Sequence, residues 1–177
     1  MIKILKYIAL IILAIFIILG VVGLFLPGTQ HVERQISIAA PADKVFVYLN
    51  DFRKFNLWSP WARVDPDTKY TYSGAEQGVG AKFEWSSENP HVGKGTQEII
   101  ESVPNTFLKT ELNFGDNSPA KASFSLLEED GKTSVIWGFD AYLDNTIARY
   151  FGLMLDEWVG ADYQKGLENL KILAEAQ

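Results

Sequence analysis

An uninterrupted apolar run, Tyr7–Leu26 (YIALIILAIFIILGVVGLFL), constrains this chain more than any other feature. It holds no charge and no proline, and its only polar side chain is the Tyr7 hydroxyl at its edge. At about 1.5 Å per residue, such a run spans the roughly 30 Å hydrocarbon core of a bilayer. A core helix apolar on every face would need a larger domain than this chain has. The competing reading is a cleaved secretory signal. A signal's apolar region runs about 7–15 residues and ends in a small-x-small cleavage site. Here the run is longer and leads into Leu26-Pro27-Gly28-Thr29-Gln30, with no such site, so an uncleaved signal anchor is favoured.

The flanks give an orientation. Lys3 and Lys6 precede the run, and Arg34 is the single Lys or Arg in the 15 residues after it. The positive-inside rule then keeps the N-terminus cytoplasmic and exports the C-terminal part, to a periplasmic or extracellular space. Gly20 and Gly23 do not have GxxxG spacing, so they carry no dimerisation signal. The expected organisation is an anchor and tether over residues 1–29 and one compact domain over 30–177.

Charge narrows the partners of that domain. Lys3 and Lys6 are two of the 16 basic residues, and none of the 22 acids precedes Tyr7. The exported part therefore carries 14 basic and 22 acidic residues, a formal charge of −8. Nucleic acid, which needs clustered Lys and Arg against its phosphates, is not expected as a partner. An anionic lipid surface would repel such a domain, so the apolar anchor must hold it there. With no cysteine, disulfides, iron–sulfur clusters, thiol catalysis and thiolate-bound zinc are excluded. Aromatics make up 13% of the chain, with 11 Phe, 7 Tyr and 5 Trp. Rings in that number either fill a core or line an apolar cavity.

Along the chain, His31–Ile38 alternates as a strand, with Val32, Arg34, Ile36 and Ile38 on one face. Ala39-Ala40-Pro41-Ala42-Asp43 opens a helix, with Pro41 expected at its first position and Val45, Phe46, Leu49 and Phe52 as its stripe. A second short helical or turn segment is expected through Phe55–Trp58, stopped by Ser59-Pro60. From Lys69 the period becomes two: Tyr70 and Tyr72; Ala81, Phe83 and Trp85; Gly95–Val103; Phe107–Phe114; Ala120, Ala122, Phe124 and Leu126; then Val135, Trp137 and Phe139. Turns are expected at Glu88-Asn89-Pro90, Pro104-Asn105, Asp116–Pro119 and Glu129–Lys132. Links this short make the six strands an antiparallel meander.

The C-terminus reads as helix from about Asn145 to Ala174. Ile147, Tyr150, Phe151, Met154 and Trp158 form one stripe; Tyr163, Leu167, Leu170 and Ala174 form another, well over 100° away. A kink at Gly160 reconciles them; a straight helix between two apolar surfaces is the competing account. The whole is an α+β domain whose last helix covers one face of a curved sheet.

Several segments resemble a known family: Ala40–Phe46 after a first strand, Asn50-Asp51-Phe52 through Trp58-Ser59-Pro60-Trp61, Tyr72-Ser73-Gly74 with Gly78–Ala81, and Trp137-Gly138-Phe139. They are similar to the polyketide cyclase/dehydrase-like branch of the SRPBCC superfamily, the START-like and birch-pollen-allergen-like helix-grip proteins. The resemblance covers Gln30–Ala174. It implies a seven-stranded antiparallel sheet gripping the C-terminal helix, with a hydrophobic cavity between them. Relatives bind lipids, sterols, quinones or polyketides, a minority catalyse cyclisation or dehydration, and many bacterial ones carry one N-terminal membrane segment. The family has no shared catalytic motif, so no catalytic residue and no cofactor is carried over.

The expected ligand-lining residues are Tyr70, Tyr72, Phe83, Trp85, Leu112, Phe114, Phe124, Trp137, Phe139, Phe151, Met154 and Trp158. Asp140, Arg149 and Tyr142 are the candidate polar anchors. Trp58-Ser59-Pro60-Trp61 is either a packed corner or an aromatic lip toward the bilayer. No metal site is expected, since His31 and His91 are the only histidines and lie on or beside different strands. Gly78-Val79-Gly80 is a turn, as no GK[ST] follows. Asp156 and Glu157 point about 100° apart on a helix and cannot share one substrate atom. Two functions follow: a membrane-anchored binder of a hydrophobic small molecule or lipid, or a cyclase-, aromatase- or dehydratase-like enzyme using the same cavity.

Overall fold

A computed structural model describes residues 2–115 and 119–176 of the protein. Helix α1 (Ile2–Phe25) carries the apolar run; among the described residues, its stretch Lys3–Phe25 is the one helix long and apolar enough to cross a membrane. After three intervening residues the sheet begins. Its strands are β1 (Thr29–Ile38), β2 (Lys69–Gly74), β3 (Ala81–Ser86), β4 (Lys94–Val103), β5 (Phe107–Asn113), β6 (Ala120–Glu129) and β7 (Lys132–Tyr142). Every neighbouring pair is antiparallel, in the order β1-β7-β6-β5-β4-β3-β2. The meander is complete, and β1 closes it by pairing with the last strand, Val32 opposite Phe139.

Local chemistry sets the corners. Asp130 (φ 50°) and Gly131 (φ 70°) both take positive φ between β6 and β7, as a tight two-residue hairpin requires. A register shift between Ile99 and Glu101 marks a bulge in β4, which sharpens the bend of the sheet. The turn expected at Asp116–Pro119 falls largely outside the described residues.

Helix α2 (Ala42–Leu49) buries Val45, Phe46 and Leu49. Pro41 stands one residue earlier than expected, at the N-cap, with extended ψ of 154°. Phe52 does not extend the α2 stripe. The Asp51 carboxylate accepts from the Arg53 N–H (2.9 Å) and starts a separate helix, α3 (Phe52–Phe55), three residues ahead of the expected second segment. A 3-10 turn, Trp61–Arg63, follows.

The C-terminal helix corrects a second expectation. The break lies at Leu153-Met154, between α4 (Thr146–Gly152) and α5 (Leu155–Glu175), and Gly160 sits inside the continuous α5. Gly160 has a different task. A side chain there would collide with the Arg34 guanidinium, which reaches in from β1. On α5 the stripe Tyr163, Leu167, Leu170 and Ala174 is buried against the sheet. Each such fully buried aliphatic or aromatic side chain is worth about 1.5–3 kcal/mol, and this stripe holds helix to sheet.

Candidate ligand-binding site

Between α5, the α3 corner and strands β2 to β5, the sheet stands away from the helix and leaves a partly open cavity of about 250 Å³. Tyr70, Phe83 and Trp85 form one wall, and Leu112, Phe114 and Phe139 another. Trp158, Val159, Asp162 and Tyr163 of α5 close it, and Phe55, Asn56, Ser59 and Trp61 line the remaining side with His91, Val92 and Gln97. An apolar void of ~150 Å³ holds benzene, and drug-sized ligands occupy ~300–1,000 Å³, so this space suits one or two rings or the end of an acyl chain.

The polar atoms of the wall are largely occupied. Trp61 Nε1 donates to Asp162 Oδ2 (3.1 Å), and Trp85 Nε1 donates to the Val92 carbonyl (3.2 Å). Gln97 Nε2 donates to Thr110 Oγ1 (2.9 Å), which satisfies a nearly buried amide. Burial pushes the hydroxyl pKa values of Tyr70 and Tyr163 up, so both phenols stay neutral around neutral pH. The cavity thus presents rings and neutral hydroxyls, the amides of Asn56 and Gln97, the His91 imidazole, and Asp162 as its carboxylate.

The remaining expected lining residues lie elsewhere. Phe124 and Trp137 are in the packed core, because Trp58 from the α3 corner drops between the sheet and α5 and fills the space beside them. Trp58 and Trp137 meet edge to face at 5.2 Å, Phe124 stacks on Trp137 at 5.0 Å, and Tyr163 stacks on the same indole at 3.7 Å. Trp58 Nε1 donates to the Tyr48 carbonyl (3.1 Å), so this segment is a packed corner whose second indole, Trp61, reaches the cavity. Trp137 Nε1 is buried without a hydrogen-bond partner in proper geometry, although the indole still offsets part of the upward shift of the Tyr163 hydroxyl.

Tyr72 lies on the far side of the α3 corner. Arg53 sits over its ring at 4.9 Å, and its hydroxyl accepts from Asn56 Nδ2 (2.9 Å). Phe151 and Met154 are exposed at the α4–α5 corner, because the chain breaks before α5 and turns them outward. None of the three candidate polar anchors enters the cavity. Asp140 alternates onto the outer face of β7, where it accepts from His31 (2.7 Å); Tyr142 is exposed at the strand end; and Arg149 reaches α1. No cluster of three or more His, Asp or Glu able to hold a metal occurs among the described residues.

Pattern reading missed Phe55, Asn56, His91, Val92, Gln97, Val159, Asp162 and Tyr163 as wall residues. For Asp162 a signal existed: it lies four residues after Trp158, so α5 presents both on one face.

This architecture, a curved seven-stranded sheet closed on a long helix with a cavity at one end, defines a helix-grip protein of the SRPBCC superfamily. The sequence profile described as "Polyketide cyclase / dehydrase and lipid transport" matches residues 29–175, and the chain belongs to that family. Solved structures agree on the fold. Protein CV1439 from Chromobacterium violaceum is 18% identical, with a TM-score of 0.59 over 84% of this chain and 99% of its own. The di-domain ARO/CYC StfQ from the steffimycin biosynthetic pathway is 12% identical, with a TM-score of 0.63 over 84% of this chain and 51% of its own. Ara h 8.0201 is 10% identical, with a TM-score of 0.59 over 85% of this chain and all of its own. No curated protein matches the chain by sequence.

Proposed function

We propose that this protein binds a small apolar molecule or the end of a lipid chain in the α5 cavity while α1 anchors it in a membrane. In this reading α1 stays uncleaved, the N-terminus is cytoplasmic, and the domain from residue 30 onward works on the exported side. The observation that carries it is the cavity itself: about 250 Å³, walled by aromatic rings, with the indole N–H groups of Trp61 and Trp85 already paired. Burying apolar ligand surface there yields roughly 25 cal/mol per Å², with little polar desolvation to oppose it. Its family, described as including lipid transport, supports the same chemistry.

A second reading, turnover in the same cavity, draws on Asp162, a carboxylate of the wall held by Trp61. General acid–base work needs such a group within hydrogen-bond reach of the substrate. Fluorescence titration of the full chain in detergent with 1-aminoanthracene tests binding, with Leu112→Trp as the filled-cavity control. The reading predicts saturable enhancement in the wild type and its loss in the variant; equal enhancement in both contradicts it. Equal binding by wild type and Asp162→Asn, with the bound compound chemically unchanged, would favour carriage over catalysis.

A further inference from the structure

The corner between α4 and α5 exposes an apolar set: Ile147, Phe151, Leu153, Met154 and Trp158 are 70, 55, 62, 43 and 46% accessible. Large apolar side chains grouped in this way on a soluble surface mark an interaction site. What they face is fixed by the contacts of α4 with α1. The Tyr150 hydroxyl donates to the Leu19 carbonyl (2.7 Å), and Arg149 Nη1 donates to the Leu24 carbonyl (3.0 Å). Gly23 makes room for this approach: a side chain there would collide with Thr146 and come within 2.9 Å of the Tyr150 ring. On the other side, Gly152 packs against Leu143, whose N–H donates to the Gly28 carbonyl (2.9 Å). α4 is therefore fastened along the last turns of α1 rather than above its end. Leu19 lies six residues before Phe25, about 9 Å along the helix axis.

We infer that α4 and the α4–α5 corner insert into the outer interfacial layer of the bilayer beside α1, with the lipid surface as the partner of this patch. This rests on the reading of α1 as a membrane span. Any bilayer that covers α1 down to Leu19 must also meet α4. Tyr150 then sits at the depth where amphipathic rings collect, and Arg149 holds its charge on backbone carbonyls near the water boundary. Trp158 belongs to both regions: it lies 6.4 Å from the Phe151 ring on the patch and also lines the cavity. An apolar ligand can thus pass between lipid and cavity at Trp158 without crossing water. Glu157 and Asp156 adjoin the patch, so attachment comes from apolar insertion and not from attraction to anionic headgroups.

The chain has no cysteine, so single-cysteine probes report one site each. Full-length Phe151→Cys, Met154→Cys, Phe16→Cys and Lys132→Cys, carrying an environment-sensitive fluorophore, would be reconstituted into phosphatidylcholine nanodiscs. Spin-labelled lipid and aqueous iodide serve as quenchers. The expected result is blue-shifted emission and strong lipid quenching at positions 16, 151 and 154, with iodide quenching at 132. Lipid quenching at 16 together with iodide quenching at 151 and 154 overturns the inserted corner and leaves the anchor standing. Iodide quenching at 16 overturns the anchor, and the inserted corner with it.

Discussion

The Arg34 guanidinium occupies the space beside Gly160 that a side chain would otherwise fill, and from there donates to the Asp156 carboxylate and to the Asp156 carbonyl, both at 3.0 Å. These bonds join edge strand β1 to the first turn of α5, where the cavity wall begins. The hydrogen bond from Arg34 holds the Asp156 carboxyl below the usual carboxylate range. In Gly160→Ala the flexible guanidinium swings away. Replacing a mid-helix glycine by alanine yields about 0.5–1 kcal/mol, which offsets what is lost. The expected result is a nearly unchanged melting temperature with an Asp156 carboxyl returned upward, read by NMR titration.

Gly166 on the same helix behaves oppositely. An added Cβ there would lie 2.7 Å from the Trp137 ring, 3.1 Å from Pro60 and 3.4 Å from Trp58, all packed and unable to yield. Overpacking of this kind costs about 1–3 kcal/mol. Gly166→Ala should therefore lower denaturant stability, despite the same gain in helix propensity.

His31 carries a pH dependence. Its hydrogen bonds to Asp140 and, more weakly, Glu33 raise its pKa above the ordinary 6.5. A raised folded-state value means that the contribution is fully present below about pH 6.5 and is lost as pH rises through the folded value. The group is largely exposed, so the effect is small. The melting-temperature gap between wild type and His31→Gln should be widest in mild acid and close on the alkaline side.

Two tryptophans separate core from wall. Trp58→Ala removes a fully buried ring from the Trp137 stack and should cost about 3–5 kcal/mol. Trp85 is half-buried at the cavity, so Trp85→Ala should cost less in urea unfolding while altering 1-aminoanthracene binding.

The strands were legible because alternation over Lys69–Phe139 leaves one pairing order that short turns can connect, and that order is the observed one. Alternation also placed Phe124 and Trp137 on the inner face. It carried no information on which inner-face rings Trp58 would cover and which would face open space, since that depends on a corner far away in sequence. The misplaced kink has the same origin. Gly160 looks like a helix breaker in isolation; its reason lies 126 positions earlier, in Arg34. The true break at Leu153-Met154 directly follows another glycine, Gly152, the last residue of α4, which the stripe pattern did not single out. The spacing of Asp162 from Trp158 was readable, but its partner Trp61, 101 residues away, was not.

The most direct measurement of the central claim is native mass spectrometry of the full chain released from detergent micelles, wild type beside Leu112→Trp. The account predicts a wild-type species heavier than the bare chain by one small apolar molecule, and the bare mass alone for the variant. Identical spectra for the two proteins, with or without added 1-aminoanthracene, would contradict it.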